Sequence, residues 1–448
     1  MANQSNKHIN SCVTTTVHLL VLALIIDPLS AYECKKYDDF ERSEQLRLKY
    51  FNELGMKVDT PQFEQYILSK ETFTTVAVQP ENNTKAAKLI WFPKKKEARA
   101  NEIDYSFIFS NRDQELEGQY RVAPKIDEAY CLNIDDKENK FVAISGERFR
   151  GNLMQAVKKD GKFIDNMVET SKRFEFYRKM MQAFSEIAKL KLKHCNLKPE
   201  NILYKEENAD FDSDYENGEE ELTYFPVVTD FDWTVPYNQN CKGGAKTFTD
   251  PEDYKNNLNH TAAFKACVEI FSMSLIILSV ETGVLTQLGF RAQDQISELK
   301  AKLETLPPPT YLIKLYSGLD NAMTKNNIYN MYEDLTMIVA GWNTGTVKNF
   351  NHEDFRAEYE YVLSGVRMYQ EYILGQSGMR EEDKTQMLAV YDSFTTILID
   401  MVRKNDMITK KQRLNPNEVI SGLDKAFQKA KAIEESAARR RNRRNLVI

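Results

Sequence analysis

Apolar positions along this 448-residue chain change period several times, and each change predicts an element. From Phe174 to Leu192 apolar residues recur at three and four spacing, which predicts a helix with one buried stripe. The run from Ile270 to Val280 is apolar on every side and interrupted only by serines, which predicts a helix enclosed by protein. Met387, Leu388, Tyr391, Phe394, Ile397, Leu398 and Met401 also keep helical spacing, so the region around them is folded. The shorter runs Phe141-Val142-Ala143-Ile144 and Phe225-Pro226-Val227-Val228-Thr229 read as strands. Near the end, Asn415, Pro416 and Glu418 supply the N-cap, first-turn proline and capping-box glutamate of a further helix.

The ends of the chain read differently. Lys7 precedes an apolar run from Val17 to Ile26, then Asp27-Pro28 breaks it and Ala31 offers a small residue. That order predicts a secretory signal peptide over residues 1–31, since the run is too short to span a bilayer. No later run reaches the roughly eighteen consecutive apolar residues of a membrane span. From Glu206 to Glu221 there are nine acidic residues, which predicts a solvated loop. The last segment carries five arginines between Arg439 and Arg444, a tail suited to anionic surfaces, basic-site proteolysis or solubility.

Composition narrows the classes. With 42% apolar and 11% aromatic residues a packed core is expected. A net charge of −6 argues against a general nucleic-acid binder, and no GxxxxGK[ST] loop supports a P-loop nucleotidase. A secreted chain keeps Cys34, Cys131, Cys195, Cys241 and Cys267, an odd set with no CxxC spacing. Small core residues with at most one or two disulfides are expected. Asn82-Asn83-Thr84 and Asn259-His260-Thr261 are sequons, making Asn82 and Asn259 the candidate glycosylation sites.

The candidate chemistry lies in His194-Cys195-Asn196-Leu197-Lys198-Pro199-Glu200-Asn201. This stretch resembles the catalytic loop of eukaryotic protein kinases, H-R-D-x-x-x-x-N. The resemblance implies a structural role for His194, substrate-side chemistry for Lys198 and metal binding for Asn201. It places Asn196 where the family has its general base, and an amide has no useful basicity near neutral pH. Cys195 stands where the family has the arginine that reads a phosphorylated activation segment.

Further matches follow in order. Asp230-Phe231-Asp232, beginning 29 residues after Asn201, resembles the metal-binding D-F-G, with Asp230 as ligand. Asp232 replaces the glycine, which restricts the backbone there. Gly244 to Glu252 resembles the end of an activation segment, and Glu269 takes the place of the Asp that opens the central helix of the large lobe. Arg413-Leu414-Asn415-Pro416 resembles the late arginine motif, which implies pairing of Arg413 with Glu252. Upstream, Ser69-Lys70-Glu71-Thr72-Phe73-Thr74 matches the phosphate-cradling loop in length, but Ser69, Glu71 and Thr74 replace its three glycines. Lys88 resembles the phosphate-contacting lysine, Glu102 its ion-pair partner, and Ile144 a nucleotide-side residue on the strand into the hinge.

The resemblance implies an α+β, two-lobed kinase-like fold. The expected boundaries are an extension at 32–56, a kinase-like domain at 57–430 and a basic tail at 431–448. The domain divides into an N-lobe at 57–146 and a C-lobe at 147–430, with a helical insertion at about 284–395. The function expected is that of a secretory-pathway pseudokinase that binds a protein partner, with ATP and Mg2+ binding weak or absent. The alternative is a divergent active Ser/Thr kinase that still holds MgATP through Lys88, Lys198, Asn201 and Asp230. An unrelated helical enzyme would need a nucleophile constellation, and none accompanies the five histidines.

Overall fold

The computed structural model describes residues 35–37, 67–70, 74–79, 82–92, 101–112, 120–134, 139–208, 222–239, 241, 244–251, 254, 262–291, 301, 328–345, 351–403 and 413–445. The chain divides into two compact units, one holding residues up to Glu115 with Ala123–Arg148 and one holding Leu116–Val122 with Phe149–Ile448. The expected signal peptide, Glu71, Glu252, Asn259 and the middle of the acidic segment lie outside the described residues.

The first unit is built on a six-stranded sheet. Its strands are β1 (Lys35–Tyr37), β2 (Ile67–Lys70), β3 (Thr74–Gln79), β4 (Asn82–Phe92), β5 (Ile126–Ile134) and β6 (Asn139–Glu147), in the order β1-β5-β6-β4-β3-β2. Every pairing is antiparallel except that of β1 with β5, which draws part of the expected extension into the sheet. Alternation fixes the faces of β4, where Ala87 and Leu89 are buried and Lys88 between them is half-buried. Among the described residues of this unit one helix occurs, α1 (Asn101–Arg112), and its Ser110 hydroxyl accepts the Ile126 amide at 3.0 Å. Gly146 has to be glycine because a Cβ there would lie 2.2 Å from the Lys125 carbonyl oxygen.

The second unit opens with β7 (Gly151–Asn152), α2 (Leu153–Lys159), α3 (Gly161–Asn166) and α4 (Thr170–Lys189). The short strand β8 (Leu192–Lys193) follows, then the hairpin of β9 (Ile202–Asn208) and β10 (Leu222–Val228), and β11 (Val235–Pro236) returns to pair with β8. The acidic segment therefore sits on the β9–β10 hairpin. Five long helices follow among the described residues: α5 (Ala262–Arg291), α6 (Ile328–Thr344), α7 (His352–Gln376), α8 (Glu381–Met401) and α9 (Pro416–Asn445).

Helix α5 is the axis of the core. It is long and apolar enough to cross a membrane, but its most apolar window is wholly buried within the protein. At its centre Glu281 and Arg173 of α4 are both fully buried, 3.1 Å apart. Tyr177 and Tyr391 donate to the same carboxylate, and the guanidinium also reaches the Met167 and Val168 carbonyls and Gln370. This satisfied network ties α4, α5, α7 and α8 together, as a buried charge pair requires.

The expected tail from 431 is instead the second half of α9. Glu434 accepts the Thr170 amide at 2.8 Å and the Ser171 amide at 3.3 Å, so α9 caps the N-terminus of α4. Arg440 pairs with Asp383 of α8 at 2.6 Å, and Arg441 donates to the Ser377 carbonyl. Among the described residues, a β-rich unit with one helix and a helical unit that carries the β9–β10 hairpin make the α+β, kinase-like order of elements.

Candidate functional site

The loop from His194 to Asn201 is held from beneath by one carboxylate. The two oxygens of Glu269, a buried residue of α5, accept the His194 amide at 2.9 Å and the Cys195 amide at 2.6 Å. Burial pushes the Glu269 carboxyl up to about 7, although both amides favour its ionised form. The His194 ring is fully buried against Phe231, its Nε2 meets the Thr229 carbonyl at 2.9 Å, and its Nδ1 accepts the Asn196 amide. Those two contacts fix the neutral imidazole with its proton on Nε2, a brace rather than a base.

On the upper side three residues converge. Asn196 Nδ2 donates to Asp230 Oδ2 at 2.8 Å, and Asn201 Nδ2 donates to the same oxygen at 3.1 Å. Asn201 Nδ2 also reaches the Asn196 carbonyl at 2.7 Å, which closes the loop on itself. Asp230 is in the left-handed region at φ 69°, costly for a non-glycine residue and common where a site imposes the geometry. Asp232, by contrast, is buried in an ordinary 3-10 turn (Phe231–Trp233), so position 232 does not use a glycine's freedom. Lys198 is half-buried on the loop between Asn196 and Asn201.

The first unit, by itself, holds a second pair. Lys88 Nζ lies 2.7 Å from Glu102 Oε1, with Glu102 2% exposed. The structure thus brings this lysine and the α1 glutamate together across fourteen residues. Ile144 is the register partner of Lys88 in the β4–β6 pairing. Ser69 and Thr74 are ladder residues of β2 and β3, where Ser69 pairs with Val76 and Thr74 with Ile90.

At the end of the activation-like segment Arg413, fully buried, pairs with Asp250; the expected pairing with Glu252 falls on a residue outside the described ones. Asp250 is itself buried, with His352 Nε2 3.5 Å away, and against the cost of burial Arg413 and His352 hold its carboxyl far below the usual range. The Arg413 guanidinium also lies over the Phe271 ring and donates to the Arg403 carbonyl at 3.0 Å. Sequence reasoning missed Asp250 and His352. It also missed Asn343 on α6, whose amide donates to the Lys246 and Thr249 carbonyls at 2.6 and 2.7 Å. Cys195 forms a disulfide with Cys241, a pairing that scattered cysteines do not announce. Asn82 opens β4, followed by the exposed Thr84 of its sequon.

Asn201 and Asp230 offer oxygen donors of the kind a hard cation takes. No cluster of three or more His, Cys, Asp or Glu residues suited to a metal occurs among the described residues. For a triphosphate the fit is worse, because side-chain-bearing Ser69 and Thr74 stand where a cradle of backbone amides needs glycines.

No protein-family model and no curated protein matches this chain. Among solved structures, the chain is similar to the Cydia pomonella granulovirus kinase PK-1, with 12% identity and a TM-score of 0.33 over 54% of this chain and 76% of that one. The kinase-like description of the fold therefore rests on this chain's own elements and contacts.

Proposed function

We propose that this chain is a catalytically impaired kinase-like domain of the secretory pathway that acts by binding a protein partner. The observation that carries this reading is the 2.8 Å hydrogen bond from Asn196 Nδ2 to Asp230 Oδ2. The group at the base position is a donor committed to a neighbouring carboxylate, whereas a general base must present a lone pair to a substrate hydroxyl. The side-chain-bearing β2–β3 strands support weak or absent ATP and Mg2+ binding. A disulfide at Cys195–Cys241 favours an oxidising compartment, in line with the expected signal peptide and the sequons at Asn82 and Asn259.

The second reading is a divergent active Ser/Thr kinase, and the Lys88–Glu102 pair favours it, because such a pair positions phosphates in active kinases. One experiment separates the two. The mature protein, purified from a secretory host, is given MgATP and generic protein substrates, and its thermal shift and phosphate transfer are followed. Little stabilisation and no transfer are expected. Autophosphorylation abolished by Asp230→Ala would overturn the impaired-kinase reading and establish the active one.

A further inference from the structure

The loop's second residue and the activation-like segment are joined covalently. Cys195 and Cys241 form a disulfide 46 residues apart in sequence, with Cα atoms 5.6 Å apart. The Cys195 end is rigid. Its amide is spent on Glu269, its side chain is 6% exposed, and its backbone sits in the left-handed region at φ 64°. The Cys241 end is half-buried and so more open to a small thiol.

The neighbouring chain is shaped to this contact. Gly244, at φ 134°, passes so close that a Cβ there would lie 1.9 Å from the Cys195 carbonyl oxygen, so only glycine fits. Before the disulfide, β11 pairs with β8, and the Tyr237 amide donates to the Lys191 carbonyl at 2.8 Å. After it, Asn343 holds the Lys246 and Thr249 carbonyls, Ser272 donates to the Phe248 carbonyl at 2.8 Å, and Arg413 holds Asp250. None of these anchors involves a phosphate or a basic side chain waiting for one. Between Tyr237 and Gly244, the disulfide is the strongest tie among the described residues.

We propose that the Cys195–Cys241 disulfide is a redox-set latch that orders the activation-like segment in place of phosphorylation. The name of what it replaces rests on the kinase-like reading; the latch itself rests on the contacts above. Closed, it holds the segment against the loop with no modification needed. Opening requires a dithiol reductant. One of its thiolates attacks Cys241 Sγ, the S–S bond breaks, and Cys195 leaves as a thiolate that takes up a proton. The second thiol of the reductant then displaces Cys241 and closes its own disulfide, so two electrons pass from reductant to protein. The anchors from Lys246 to Asp250 remain, so loosening is confined to the stretch around Cys241.

The test is hydrogen exchange on the full mature chain, oxidised and after dithiothreitol, with thiol alkylation read by mass spectrometry. Reduction should raise exchange in peptides covering residues 237–246 by about tenfold or more while α4 and α5 keep their protection. Cys241→Ser should show the fast pattern with or without dithiothreitol. Free thiols at both positions in the oxidised protein would overturn the proposal. So would unchanged exchange after complete reduction, or a loss of protection spread equally over α4 and α5. If Cys241→Ser fails to fold, graded reduction of the wild type gives the same reading. Phosphate transfer by the wild type would overturn the impaired-kinase reading and leave the latch standing.

Discussion

The underside and the upper side of the His194–Asn201 loop are each organised by one carboxylate, and they differ in what answers it. Beneath, Glu269 receives two backbone amides, from His194 and Cys195. Above, Asp230 receives two side-chain amides, from Asn196 and Asn201. A backbone donor survives any substitution that leaves the chain path intact, whereas a side-chain donor appears or vanishes with one residue. The same loop shape can therefore persist while the chemistry above it changes. The same division holds for the activation-like segment, whose end is tied to the helical core through Asp250 and Arg413.

The largest effect should come from breaking that core tie. Arg413→Met would leave Asp250 buried without its guanidinium partner, and loss of about 3–5 kcal/mol is expected. Denaturant unfolding measures this directly. Because Asp250 is ionised with its carboxyl held low, its contribution is present above the ordinary Asp range and fades only in strong acid. The wild type and Arg413→Met should therefore converge at low pH. A loss below about 1 kcal/mol at neutral pH would mean that the segment's end is anchored elsewhere.

Next comes the underside of the loop. Glu269→Ala would strand two buried amides and should cost about 2–4 kcal/mol, while Glu269→Gln keeps one acceptor and should cost less. The carboxyl also predicts a pH signature. Its folded value, near 7, lies above the ordinary 4.5, so the folded state holds the proton more tightly. The resulting stability is fully present below pH 4.5 and is lost as pH rises through 7. Wild-type stability, relative to Glu269→Gln, should thus fall between pH 5 and pH 8 by roughly 2–3 kcal/mol. Parallel pH profiles for the two proteins would show that Glu269 is ionised throughout and that its amide donors outweigh its burial.

These contrasts also explain what was legible in the sequence. The loop motif was readable because its internal contacts are local, Asn196 to His194 and Asn201 to Asn196, while the contact to Asp230 spans 34 residues and is met by a second motif. Helix α5 was readable because burial on all sides leaves an apolar run broken only by serines from Ile270 to Val280. The Arg413–Asp250 contact was not, because the two residues lie far apart in sequence and no local pattern joins them. The disulfide was hidden for a similar reason, since spacing alone does not select one pair among six cysteines. The arginine-rich end looked like a solvated tail by composition. Its helix is fixed by single contacts, Glu434 on the α4 amides and Arg440 on Asp383, that carry no local signature. The addition of β1 beside β5 is long-range in the same way.

The smallest effect on stability, and the sharpest test of the comparison, is Asn196→Asp. The change supplies the residue type that the resembling kinase motif carries but turns a donor into an acceptor 2.8 Å from Asp230 Oδ2. Two carboxylates at that distance resist joint ionisation, so one of them should take up a proton more readily than an ordinary Asp. Stability should fall by about 1–2 kcal/mol at pH 8 and recover in acid, the opposite of what a rescued enzyme needs. Excess Mg2+ should restore part of the loss if Asp230 and the new carboxylate can share the ion, and a thermal melt with and without Mg2+ at pH 8 measures it. Transfer of phosphate should remain at the wild-type level, because the β2–β3 strands still lack the glycines that admit phosphate oxygens. A large gain in transfer, together with Mg2+-dependent stabilisation, would show that the upper side of the loop was one atom away from chemistry and that the strands are no obstacle. No gain with a pH-dependent penalty would show that the amide at 196 serves Asp230 and that the loop keeps its shape without a carboxylate at that position.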